Sequence, residues 1–211
     1  IRDKLVTGVQ TCALPIFRLA DYQTRIFQDG PRRFFRYAEE ALDPTGLQRV
    51  AQAQIQFNPD YQKLVLHRVT VWRDGKPLPR VKDARVDLLQ REAELEKSLY
   101  QGHVTASIVL SDVRVGDIVD VEASILGENP IFAGMYGTEF PLGGQAPIDQ
   151  LHARFLHDKG RKFAAKVISG SPLPTTQEIG DLSEIALSLT NTKGVLEDSE
   201  RPLWYQDRKS T

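Results

Sequence analysis

Between Arg49 and Phe57 the chain alternates cleanly: Ala51, Ala53, Ile55 and Phe57 fall on one side, Gln52, Gln54 and Gln56 on the other. A period of two with polar partners predicts a half-buried β-strand, because successive side chains leave opposite faces of a pleated backbone. Asn58-Pro-Asp60 closes it. Residues 61–73, rich in Val and Leu and ending near Trp72, read as the next strand. Asp74-Gly75 then supplies the positive φ angles of a tight hairpin. Further strands are predicted at 33–37, 84–90, 104–110, 118–126, 151–156, 163–169 and 183–190. Asp29-Gly-Pro31, Asp43-Pro-Thr-Gly46 and Gly127-Glu-Asn-Pro130 read as turns, and 133–147, rich in Gly and Pro, as a long loop or crossover. Only 91–99 reads as a helical turn or two, with Leu95 and Leu99 at i, i+4 spacing. Many short strands with turns between them predict an all-β sandwich.

Composition narrows the classes without naming an activity. The 211 residues carry 27 basic against 28 acidic side chains, 41% hydrophobic and 26% charged residues. Without a basic excess the chain does not read as an electrostatic nucleic-acid binder. No apolar run approaches the ~18 residues of a membrane-spanning helix. One Cys, Cys12, excludes an intrachain disulfide and a four-Cys zinc site. Cys12 lies in Val6-Thr-Gly-Val-Gln-Thr-Cys-Ala-Leu-Pro-Ile16, a string that resembles the in-frame translation of a sequencing adapter. Residues 1–18 are therefore taken as an artefactual or disordered leader. A Cys-His hydrolase reading loses its nucleophile with them.

The candidate residues each have a bland and a sharp reading. Asp112, Arg114 and Asp117 form the most charged loop and are the candidates for a binding surface. The favoured reading is turn closure, with aspartates accepting from backbone N–H groups, Gly116 supplying the turn and Arg114 pairing with an Asp. His67 reads as packed in a sheet with one hydrogen bond, and His103 as solvated in a loop. His152 and His157, five apart on a strand, face opposite ways and cannot share a metal. Trp72 is expected in the core. Phosphate-loop, dinucleotide, zincin, nucleophile-elbow and calcium-loop motifs are missing, so no cofactor or metal is expected.

An ordered series of short motifs carries a family resemblance. Phe57-Asn-Pro-Asp-Tyr61, Leu66-His-Arg-Val-Thr-Val-Trp-Arg-Asp-Gly-Lys76, Leu89-Gln-Arg-Glu92 and Tyr100-Gln-Gly102 come first. Leu110-Ser-Asp-Val-Arg-Val-Gly-Asp-Ile-Val119, Gly127-Glu-Asn-Pro130 and Pro202-Leu-Trp204 follow. Together they resemble the bacterial domain of unknown function that precedes transglutaminase-like domains in cell-envelope proteins. The resemblance implies an immunoglobulin-like sandwich over 19–205, with two sub-sandwiches meeting near 133–147 as an option. It implies a linker at 206–211, a following Cys-His-Asp domain as partner, and a periplasmic or envelope location. A cell-envelope protein or polymer is a further expected partner. Trp204 is then a candidate contact with the following domain. The implied role is non-catalytic, positioning that domain or binding its substrate. The alternative is a stand-alone carbohydrate- or peptide-binding sandwich. A metal-free hydrolase using Asp112, Asp117 or a His ranks last.

Overall fold

The structure, a computed structural model, describes residues 15–90, 102–167 and 172–194. It opens with two long antiparallel strands, β1 (Ile16–Phe27) and β2 (Gly30–Glu40). Phe17, Tyr22, Phe35 and Tyr37 line one face of the pair, and Asp21 and Arg36 sit opposite each other on the other face. After β2 come helix α1 (Pro44–Val50), β3 (Gln52–Phe57), β4 (Lys63–Arg73), β5 (Lys76–Pro79) and β6 (Arg85–Gln90). Then follow β7 (Val104–Val109), β8 (Ile118–Leu126), a 3₁₀ turn (Pro130–Phe132), β9 (Ile148–Asp158), β10 (Thr175–Ile179) and β11 (Leu182–Thr192).

Two sheets form an all-β sandwich, as expected. The larger has eight strands in the order β10-β11-β9-β1-β2-β8-β4-β5, and the smaller three in the order β3-β7-β6. The immunoglobulin-like expectation did not specify one feature: β1 and β9, separated in sequence by β2 to β8, pair in parallel.

The inner face of the large sheet is covered unevenly. Over β8 and β4 lie the small sheet and α1. There Val69, Val71, Val119 and Val121 meet Val50, Ala53, Ile55 and Ile108 in one buried cluster. Over β1 and β9 a second cluster of Ala20, Ile148, Leu151 and Ala153 lies against Phe140 and Leu142 of the long connection. Between these covers, above β1 and β2, the face opens into a cleft.

The outer face is a lattice of ion pairs. Arg36 donates to both oxygens of Asp120 at 2.9 and 2.8 Å, and Trp72 Nε1 donates to the same carboxylate at 3.3 Å. Asp120 is 1% exposed, because these long side chains roof it over. Trp72 is thus a partly buried lid on the charged face rather than a core residue. Its neighbours Val71 and Val69 take the inner positions.

Several expectations are corrected. The strand expected from Arg49 starts at Gln52, because Pro44–Val50 is helical. Asp43 caps that helix by accepting from Gly46 N at 2.6 Å, and Pro44 sits in its first turn, where a missing N–H costs nothing. The strand expected at 163–169 does not form over the described residues 163–167. Phe163 packs edge-on against Phe155 instead, and the outer edge of β11 is taken by β10, which the pattern did not predict. At the start, Ile16, Phe17 and Arg18 are strand residues, so the folded domain begins before Leu19. Arg18 is tied to Glu40 and Asp149. The helical turn at 91–99 and the tail 195–211 lie outside the described residues.

Candidate functional site

The loop joining β7 to β8 brings Asp112, Arg114 and Asp117 together. Asp112 adopts φ +56° and Gly116 φ +89°, which folds the loop back on itself. Arg114 N donates to Asp117 Oδ2 at 2.8 Å, and Arg114 Nη2 donates to Asp112 Oδ1 at 3.1 Å. The organising residue is Arg73, at the end of β4. It donates to Asp117 Oδ1 and Oδ2 at 3.0 and 2.7 Å, to the Asp112 carbonyl at 2.6 Å and to Asp112 Oδ2 at 3.2 Å. These bonds hold both carboxyls below the usual carboxylate range, Arg73 being the leading cause for each. A carboxylate stabilised in this way is a poor proton acceptor at neutral pH, so the cluster is a clamp between the β4–β5 hairpin and the loop. In the sequence Arg73 is one residue of the Leu66–Lys76 string, and nothing local marks it as the organiser. Trp204 lies outside the described residues.

The histidines stay apart. His67 is exposed, with Nε2 2.7 Å from Ser124 Oγ. His152 is exposed and His157 buried, on opposite faces of β9 as their spacing requires. His103 is half-buried with an unpartnered Nδ1, not solvated. Among the described residues no three His, Cys, Asp or Glu side chains group as metal ligands. No helix among them is long and apolar enough to cross a membrane.

The cleft left open on the inner face encloses about 590 Å³. Its floor is Phe17 and Tyr22 of β1 with Phe35, Tyr37 and Glu39 of β2, and its wall is β3 with Arg49 of α1 beside it. Glu39 Oε2 is buried and has no hydrogen-bond partner. Burial pushes the Glu39 carboxyl above its ordinary range, and the pull of Arg49 only partly offsets this. Tyr37 and Tyr22 are pushed up as well, first by burial and then by the Glu39 charge. These three groups are not singled out from the sequence, because the strand predicted at 33–37 ends before Glu39 and no local pattern joins it to Tyr22 of β1. A second cavity of about 780 Å³ lies farther along, between Phe140, Leu142, Phe155 and Phe163, and its lining is mostly apolar.

Known proteins place this geometry. The family described as "Domain of Unknown Function with solved-structure structure" matches residues 31–195. The chain belongs to the DUF3857 family. β2 from Pro31 onward, β3 to β11 and the Arg73 clamp lie inside the matched range, while β1 adds Phe17 and Tyr22 from outside it. A crystal structure from Parabacteroides distasonis, described as a "putative protease", superposes on the DUF3857 chain with a TM-score of 0.73 at 17% identity. The match covers 90% of this chain and 38% of the Parabacteroides chain, so the two share the fold and the present chain spans well under half of the other. No curated protein matches.

Proposed function

We propose that this DUF3857 domain is a non-catalytic module of a larger bacterial envelope protein, where it positions a transglutaminase-like, papain-type domain or holds that domain's substrate. The observation that carries the proposal is the shared fold with 38% of a chain described as a "putative protease". The state of the side chains supports it. The aspartates of the charged loop are bound to Arg73, and the one cleft carboxyl has no base, nucleophile or metal group beside it. A periplasmic setting and the transglutaminase-like partner rest on the family resemblance of the motif series.

The test is direct. Incubate the 211-residue chain with a casein digest and with an amine plus glutamine-peptide pair, and follow hydrolysis and amide transfer. No turnover is expected. Turnover that co-purifies with the chain and is lost in Glu39→Gln or Asp117→Asn would overturn the proposal. The second reading, a stand-alone peptide- or carbohydrate-binding sandwich, is favoured by the cleft alone. Peptidoglycan pull-down by the isolated chain, with no effect of the module on a downstream peptidase, would select it.

A further inference from the structure

The cleft has a wall that is itself a binding surface. β3 pairs with β7 on one side only and is the edge of the small sheet. Leu110 N donates to the Ala51 carbonyl at 2.9 Å, and the register continues Gln52 opposite Val109. In an antiparallel ladder the bonded residues alternate, so Ala53 and Ile55 bond toward β7. Gln52, Gln54 and Gln56 therefore aim their N–H and C=O groups away from the sheet and over the cleft. Such an edge is a template for one more strand. A strand added there would turn every second side chain down onto the floor of Phe35, Tyr37 and Glu39. At that floor the Glu39 oxygen is buried and unpartnered, so it calls for a donor that the described residues do not supply.

We propose that the β3 edge binds an extended peptide by strand addition, with a lysine or arginine side chain reaching Glu39 and apolar side chains at alternate positions covering Tyr37 and Phe35. The backbone row gives affinity without sequence preference, and the buried carboxyl selects the basic residue. A free ammonium or guanidinium, met by a turn of the half-buried Glu39 side chain toward the cleft, gives Oε2 a donor and compensates its charge in a site where burial otherwise disfavours the ionised form. Three outward residues span about 13 Å of strand at ~3.3 Å per residue, which fixes the recognised segment at roughly five residues. This rests on the reading of the domain as a substrate-holding module and names the substrate class: an extended basic-apolar peptide.

The experiment is fluorescence anisotropy on the intact chain with a labelled hexapeptide, Lys-Thr-Leu-Thr-Val-Thr. Three control peptides are titrated alongside: norleucine for lysine, glutamate for lysine, and N-methyl groups on alternate amides. Saturable binding of the lysine peptide is expected. The norleucine peptide should bind roughly tenfold more weakly, as expected for a lost charged hydrogen bond. The glutamate and N-methyl peptides should not bind. Glu39→Gln should erase the preference for lysine over norleucine. Gln54→Pro, which removes one outward N–H and leaves the β7 ladder intact, should abolish binding with little change in melting. The proposal is overturned if no peptide binds, if the N-methyl peptide binds as well as its parent, or if Glu39→Gln leaves the preference in place. Self-association through the edge, broken by Gln54→Pro, would assign β3 to a second copy and also overturn it. The N-methyl comparison uses wild-type protein, so it stands even if a variant fails to fold. If peptide binding is absent while the module still raises the activity of a downstream peptidase, this inference falls and the module reading survives.

Discussion

Glu39 should be a residue that the fold tolerates at a cost, and its replacement by leucine measures that cost. Leucine occupies a similar volume, suits the aromatic floor formed by Tyr37 and Phe35, and removes the unpartnered Oε2. A buried acceptor left unpaired costs about 1–3 kcal/mol. The attraction of Arg49 offsets part of this, but burial outweighs it, since the carboxyl is pushed up rather than down. A net gain of about 1–2 kcal/mol is therefore expected for Glu39→Leu above neutral pH. For a domain of this size each kcal/mol moves Tm by about 2–4 °C, so the rise should be about 2–8 °C. The pH dependence has a definite sign. The folded protein holds the Glu39 proton more tightly than the unfolded chain, whose value is 4.5. Below that value both states are protonated and ionisation adds nothing. As pH rises through the raised folded value, the wild type loses stability and the leucine variant does not. The advantage of the variant must therefore grow from about pH 4 to about pH 8. Differential scanning calorimetry at both ends reads it. A variant that melts at or below the wild type at the upper pH, or gains more at the lower, would refute the account of Glu39 as a buried, unpaired acid.

Three further changes test the frame around the cleft. Asp117→Asn should lower Tm at neutral pH. The folded carboxyl lies below its unfolded value of 3.8, so its stabilisation is present above that value and lost as pH falls through the folded one; urea midpoints of the two proteins should converge in acid. Gly127→Ala should cost roughly 3 kcal/mol, because φ is +99° and a Cβ would intrude on the Tyr61 carbonyl oxygen; the urea midpoint checks it. Ile108→Ala, at the centre of the small sheet and 1% exposed, should cost about 2–5 kcal/mol in the same assay and separate the two layers.

The strands with strong alternation were legible in the sequence because one face of each is dry. β8 was read with its exact ends, Ile118 to Leu126, and β7 to within one residue. α1 was missed although its signal was present. Asp43 followed by Pro44 reads equally as a turn or as an N-cap with a first-turn proline, and the downstream alternation drew the strand back over Arg49. Phe163 is expected in a strand at 163–169, yet its ring packs against Phe155 and His157. The loop candidates Asp112, Arg114 and Asp117 were found because they are close in sequence. Arg73, which closes the clamp, is 44 residues from Asp117 and no local pattern joins them. The cleft was out of reach for the same reason, since its floor and wall meet only when the small sheet lies over β2.

What singles out Glu39 is the contrast with the other carboxylates. Asp120, Glu122, Glu128, Glu184, Asp112 and Asp117 each face an arginine across a strand pair or a loop. That pattern is what a fold does with charges it must keep near the surface of a sheet. Three buried polar atoms among the described residues lack a partner: Glu39 Oε2, Arg80 Nε and His103 Nδ1. Of these, Glu39 alone lines either of the two cavities described. The Glu39 side chain lines a cleft of about 590 Å³, beside an edge strand whose backbone is unpaired on that side. A local rule broken where backbone and cavity are both open marks a place where a ligand completes the structure, and a rule broken inside a packed core marks only strain. Glu39 belongs to the first kind, and its stability cost and its ligand preference should therefore disappear together in Glu39→Leu.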